Sequence, residues 1–374
     1  MRRSELKKEN AIVLTKGSLD TEAAKTAHGL IRGGDRFHLL AVIDPVHAGK
    51  DAGEVLDGTK RNIPVHGSIQ ECLDCGTARP AFCIIGVALP GGRLPKEWHS
   101  LLIQALENGI SIVNPMHQRL ATIPELNQAA QKSGAALIDV REPRPLEELH
   151  FWTGDIYQVK TPKIAVLGTD CALGKRTTCS LLKEACQKKG IRSEMIYTGQ
   201  TGWMLGNRFG FILDSTLNDF VSGELEHAIV ECDKATFPDC ILIEGQSSLR
   251  NPSGPCGSEF ILSGNVKGVI LQHAPFRECF DTLEGPGCMI PSLADEIEII
   301  RLMGARVIAI CLNLGHAEEQ DGVDCQQRLE EQTGIPVIRP LEQGMERLVS
   351  VIQGFIQADD PETTVTQLNT RARI

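Results

Sequence analysis

Lys175 stands directly after Gly174 in the stretch "KIAVLGTDCALGKRTTCSLL", and Gly168 closes the apolar run that precedes it. This order reads as strand, tight turn and helix. Backbone N–H groups then converge ahead of a helix N-terminus, whose partial positive charge favours an anion. Gly168 and Gly174 let the chain approach a ligand closely, and Lys175 can reach a phosphate oxygen as a point charge. Gly168, Thr169, Asp170, Cys171, Gly174, Lys175, Arg176, Thr177 and Thr178 are therefore expected to form a phosphate cradle.

The cradle departs from the common P-loop in two ways. Thr169 takes the slot of the first motif glycine, and Arg176 replaces the hydroxyl that would hold magnesium. Phosphate binding is expected to survive these changes; a hydroxyl-held metal is not expected. The apolar run "CILIEGQSS" supplies Glu244 at a strand end, where an acid holds magnesium through water in a metal-dependent enzyme or accepts a proton in a metal-free one. His273 ends a further run, "VKGVILQH". Cys171 lies in the cradle itself, where a helix terminus can lower a thiol's pKa.

Elements that position these residues follow from short apolar runs separated by helical segments, the pattern of parallel strands covered on both faces. "AIVLTKG", "FHLLAVIDP", "AFCIIGVALPGG", "ISIVNPMH" and "AALIDVREP" make a Rossmann-like half. Asp44 ends its second strand where a ribose-binding acid would sit, but no G-x-G-x-x-G follows the first strand, which speaks against a dinucleotide. "REPRPLEELHFWTGDIYQVKTP" breaks the periodicity as a junction, and "KIAVLG", "RSEMIYTG", "CILIEG", "VKGVILQH", "ARVIAICLN" and "IPVIRP" make the second half. The expected fold is α/β with two parallel-sheet domains: a Rossmann-like domain over 1–150, a P-loop NTPase-like three-layer domain over 151–356 and a polar tail over 357–374.

The chain has 374 residues and a formal net charge of -10. Apart from its first residues it has no basic run, so nucleic acid is not an expected partner. No run approaches the roughly 18 apolar residues of a membrane span. Thirteen cysteines, an odd number without a secretory leader, point to reduced thiols and a cytoplasmic protein. The pair Cys72 and Cys75 lacks further ligands at zinc spacing and reads as a helix flank. Small-molecule substrates and a homo-oligomer are expected.

The blocks "KTAHGLIRGGDRF", "IDPVHAGKDAGE", "GVALPGGRLPKEW", "GTDCALGKRTT", "YTGQTGW", "DFVSGELE", "IEGQSSL", "HAPFR" and "IPSLADEIEII" make the chain similar to the D-glutamate N-acetyltransferase-like family. The resemblance covers nearly the whole chain, and G-T-D-C-x-x-G-K-x-T-T, its most specific motif, includes Arg176. It implies transfer of acetyl from acetyl-CoA to the amine of an acidic amino acid, with the cradle on the CoA phosphates and Arg176 as an added cation. Glu244 or His273 is then the expected base, and Arg250, Arg277 and His117 the expected substrate contacts, His117 toward the domain cleft. The family's "EGQGSL" and "SGLH" are here "EGQSSL" and "NPMH", changes that bear on the identity of the acceptor. A more distant likeness to dethiobiotin-synthetase-type ligases implies ATP with magnesium instead. A non-catalytic nucleotide sensor is the remaining alternative.

Overall fold

The computed structural model describes residues 8–76, 78–315 and 317–359. The basic N-terminal stretch up to Lys7 and the polar tail from 360 lie outside them. Residues 357–359, expected in the tail, continue the helix Glu346–Asp359. No described helix is long and apolar enough to cross a membrane.

The strands are β1 (Glu9–Leu14), β2 (Phe37–Ile43), β3 (Val65–His66), β4 (Phe82–Ile85), β5 (Ser111–Asn114), β6 (Leu137–Asp139), β7 (Lys163–Gly168), β8 (Ser193–Tyr197), β9 (Phe209–Gly210), β10 (Cys240–Glu244), β11 (Gly268–His273), β12 (Arg306–Leu312) and β13 (Val337–Ile338). Two compact units result. One runs up to Arg144 and includes Gln200–Asn207; the other holds Pro145–Gly199 and the chain from Arg208 on. The first has a 6-stranded sheet in the order β3-β2-β1-β4-β5-β6, the second a 7-stranded sheet in the order β13-β12-β11-β7-β10-β8-β9. All the strand pairings are parallel. The architecture is the expected α/β fold, Rossmann-like in the first unit and P-loop-like in the second.

Alternation along each central strand explains why both faces are covered. Ile12 and Leu14 of β1 join one apolar cluster, while Ala11 and Val13 join another on the opposite face. In β7, Ile164 and Val166 pack on one side and Ala165 and Leu167 on the other. Successive side chains of a strand point to opposite faces, so an unbroken apolar run requires helices on both. The two-residue edge strands β3 and β9 have no such run and escape sequence reading.

The segment Gln200–Asn207 lies between β8 and β9 in sequence but packs in the first unit. Met204 is buried in that unit's core, the Arg36 guanidinium sits 4.0 Å from the Trp203 ring centroid, and the amide of Asp35 donates to the carbonyl of Leu205 at 2.7 Å. A single boundary near residue 150 describes neither unit completely.

Candidate functional site

The cradle forms where β7 ends between its two neighbours. β10 and β11 pair with β7 on either side, so Glu244 and His273 flank Gly168 at the C-terminal edge of the sheet. Parallel α/β sheets bind ligands at that edge. The helix Lys175–Lys188 starts from Gly174, whose φ of 91° suits glycine, and no side chain caps its first turn. Its leading N–H groups are therefore left for an anion. A side chain at Gly168 would meet the Lys175 Nζ at 3.2 Å, which explains a glycine there. The inward face of the helix is Lys175, Thr178, Cys179, Leu182 and Cys186. Leu181 and Ala185 are only partly buried.

Lys175 is buried, and its ammonium donates to the carbonyls of Asp170 at 2.6 Å and Ser247 at 2.8 Å. Burial pulls its pKa down to about 8 although Cys171, Asp170 and other groups act to raise it. The site thus holds a cation that gains from a negative ligand.

Asp170 is fully buried and faces into the protein rather than into the cradle. Its carboxylate accepts from Arg277 at 2.9 Å, the amide of Asp281 at 2.8 Å and the Asn251 amide group at 3.3 Å. Arg277 also donates to the carbonyl of Cys171 at 3.0 Å. The ion pair and these bonds tie the loops after β7, β10 and β11 together.

Glu244 is buried, and its carboxylate accepts the Thr198 amide at 3.2 Å. The Thr198 hydroxyl donates to the Glu244 carbonyl at 2.7 Å and accepts from Gln246 at 3.1 Å. Burial raises the pKa of this carboxyl; the charge of Arg176 opposes that rise most strongly. A guanidinium therefore acts on the strand-end acid from the motif position where a metal-holding hydroxyl normally stands.

His273 pairs through Nδ1 with the Thr169 hydroxyl at 3.1 Å, and burial pulls its pKa down to about 4. It is a neutral imidazole near neutral pH. Gln272 beside it is bonded to the Thr178 hydroxyl, so Thr178 is occupied within the protein.

The two arginines expected to receive a substrate carboxylate already hold carboxylates of the chain. Arg277 is on Asp170, while Arg250 donates to Glu296 at 2.7 Å and to the carbonyl of Ser292 at 3.3 Å. Arg250 thereby clamps its loop to the helix Leu293–Leu302. His117 does not end a strand as expected; it lies in the loop beyond β5, exposed, with its ring over Gly92 in the first unit. Cys171 is partly buried, its thiol 3.6 Å from the Ser247 hydroxyl.

Several participants carried little sequence signal. Asn251 is almost wholly buried and reaches both Asp170 and, at 3.8 Å, the Cys171 sulfur. The cue for it was "RNPSG", an Asn ahead of proline whose side chain accepts the Ser253 amide at 2.9 Å, as in an Asx-turn. Thr198 sits in the "YTGQTG" block, and only the sheet brings it to Glu244. The buried hydroxyl of Ser248 has no hydrogen-bond partner among the described residues.

In the first unit the strand order is that of dinucleotide-binding sheets, but Asp44 is spent on the chain. Fully buried, it accepts from the Thr15 hydroxyl at 2.7 Å, from the amides of Gly17, Leu19, Val46 and His47, and from the His47 ring. It fastens the loop after β1 to the loop after β2, which leaves it unavailable to a ribose.

Comparison with known proteins accords with this architecture. The family described as "Domain of unknown function (DUF1611_C) P-loop domain" matches residues 150–349, and its companion, described as "Domain of unknown function (DUF1611_N) Rossmann-like domain", matches residues 45–143. A protein of Tritonibacter scottomollicae named D-glutamate N-acetyltransferase is 30% identical over 276 residues, which are 72% of this chain and 80% of that protein. A protein of the same name from Pseudoalteromonas sp is 28% identical over 295 residues, 76% of this chain and 86% of that one. The crystal structure of a DUF1611 family protein from Anabaena variabilis superposes with a TM-score of 0.82 at 28% identity, covering 92% of this chain and 99% of the other.

Proposed function

This chain belongs to the DUF1611 family, and we propose that it transfers an acetyl group from acetyl-CoA to the amine of an acidic amino acid of the D-glutamate kind. Relatives bearing the name D-glutamate N-acetyltransferase support the transferase class. The reading is carried furthest by the loop itself: an uncapped helix start with the buried ammonium of Lys175 beside it and Arg176 at the position where a metal-holding hydroxyl normally stands. A phosphate cradle with a guanidinium at the magnesium position suits a donor whose phosphates are held but not cleaved.

The cradle residues fit such a donor. The uncapped helix start, the close approach at Gly168 and the ammonium of Lys175 suit the diphosphate arm of CoA. When bound, acetyl-CoA supplies a thioester carbonyl open to attack by an amine. Glu244 is assigned the proton-accepting role: its raised pKa makes it a stronger base than an ordinary carboxylate, and the Thr198 amide holds it in place. His273, with a pKa of about 4, is a weak base and is assigned hydrogen bonding instead.

A thiol-release assay with acetyl-CoA and both enantiomers of glutamate and aspartate tests the reading. Free CoA thiol should appear with an acidic amino acid and persist after treatment with a chelator. Magnesium-dependent formation of ADP from ATP in the presence of an acceptor, without thiol release, would establish the ligase or kinase alternative. No turnover of either kind would leave a nucleotide sensor.

A further inference from the structure

Gln246 stands just beyond Glu244 in "CILIEGQSS" and takes no part in the phosphate cradle. It is partly buried, where the chain leaves β10 beside the end of its neighbour β8. The Thr198 hydroxyl donates to the carbonyl of Glu244 at 2.7 Å, and a carbonyl can only accept. That hydroxyl has then used its one proton, so the atom of Gln246 that meets the Thr198 oxygen at 3.1 Å must be a donor. The bonding order fixes the amide: its NH2 end is on Thr198, and its carbonyl oxygen, Oε1, has no hydrogen-bond partner among the described residues.

Gly199 gives the amide its place. A β-carbon there would lie 2.8 Å from Gln246 Nε2 and 3.8 Å from Glu244 Oε1, so the amide and the carboxylate pack around the same glycine. The Thr198 amide holds the other carboxylate oxygen of Glu244 at 3.2 Å. A fixed neutral acceptor and a carboxylate thus stand together at the C-terminal edge of the sheet, on the strand next to β7 and its cradle.

Acetylation of an amine has a use for this pair. An ammonium brings three N–H groups. One proton goes to the base; the nitrogen then bonds to the thioester carbonyl carbon, the C–S bond breaks, a second proton leaves with the sulfur as thiol, and the third stays on the product amide. Glu244 takes the first. The third needs an acceptor throughout, and a neutral amide oxygen supplies one without competing for the proton. We propose that Gln246 is a contact for the acceptor substrate, its Oε1 accepting an N–H of the incoming amine beside Glu244, with Thr198 as the positioning residue that decides which end of the amide faces that amine. The inference rests on the proposed function for the class of acceptor and for the role of Glu244.

Isothermal titration of the full-length protein in the presence of CoA, which has no acetyl group to transfer, tests the proposal with both enantiomers of glutamate and with glutarate, which keeps the two carboxylates but lacks the amine. Gln246→Met should weaken the better enantiomer about tenfold or more, the loss of one hydrogen bond to a charged group, and leave glutarate unchanged. Thr198→Val should move the ratio of glutamate to glutarate affinity in the same direction, because the freed amide can turn its NH2 end toward the amine. Equal weakening of glutamate and glutarate would reduce Gln246 to a support for its loop and overturn the proposal. So would unchanged glutamate affinity in Gln246→Met, or a wild-type protein that binds neither enantiomer. Thiol release from acetyl-CoA is read separately: its absence from a wild-type protein whose glutamate binding depends on Gln246 would sink the transfer reading and leave the amine contact standing.

Discussion

The Lys175 ammonium donates to the carbonyl of Ser247 at 2.8 Å, and Ser247 presents that carbonyl from a backbone φ of 40°. The left-handed region is costly for a residue with a side chain, and the loop after β10 accepts this cost to set the carbonyl on the lysine. Ala172, inside the cradle, has a φ of 53° as well. Both loops that meet Lys175 are thus held in uncommon conformations, and the buried Asp170 with its partners secures them.

Ser247→Gly should leave the midpoint of urea unfolding nearly unchanged, because relief of strain and the entropy of glycine oppose each other. Ser247→Val should lose about 1–3 kcal/mol, since a β-branched residue fits the left-handed region poorly. Equal stability of the two variants would show that this backbone is not strained.

CoA binding should weaken as the pH rises through about 8, where Lys175 loses its proton. The decline approaches tenfold per pH unit once the free protein's lysine is mostly neutral, and titration calorimetry between about pH 7 and about pH 9.5 would record it. The same group has the opposite effect on stability. Its folded pKa lies below the unfolded value of 10.5, so the unfolded chain binds more protons between about 8 and 10.5, and this contribution to stability rises with pH across that window. Lys175→Met should abolish the pH dependence of binding along with most of the affinity.

Glu244→Gln should lower kcat by about 10²–10⁴-fold while changing the KM for acetyl-CoA little. The amide oxygen can still accept the Thr198 N–H, so the fold should be kept. In the wild-type enzyme the acid limb of kcat should lie above the ordinary carboxylate range, because burial raises the pKa of Glu244. Unchanged turnover in Glu244→Gln would move the proton-accepting role elsewhere.

Asp170→Ala should cost about 3–5 kcal/mol, since it leaves Arg277 and Asn251 without their buried acceptor. Arg277→Met should cost less, because the Asp281 amide and Asn251 still hold the carboxylate. A double-mutant cycle read by denaturant unfolding separates the pair from its surroundings. Additive effects would mean that the ion pair does not join the loops.

The order of strands and helices, the parallel sheets and the strand-loop-helix of the P-loop domain were legible in the amino-acid pattern, because each depends on local features. Continuous apolar runs need cover on both faces, and Gly174 with Lys175, between an apolar strand and a helix, has the local order of a phosphate loop. The edge strands β3 and β9 were not legible, since neither sits in an apolar run such as the "IPVIRP" that marks the equally short β13. Nor was the placement of Gln200–Asn207, whose contacts come from Arg36 and Asp35, far away in sequence.

Residue type showed which side chains were able to do chemistry, while packing settled which of them are left to do it. Arg250 and Arg277 have the right fork for a carboxylate, yet folding puts Glu296 and Asp170 into those forks. Asp44 directly follows β2, where a ribose-binding acid stands, yet the loops around it take up its oxygens. A charged group in water has no fixed partner; once buried, it must bond to whatever the fold brings nearest, and no short stretch of sequence records that choice.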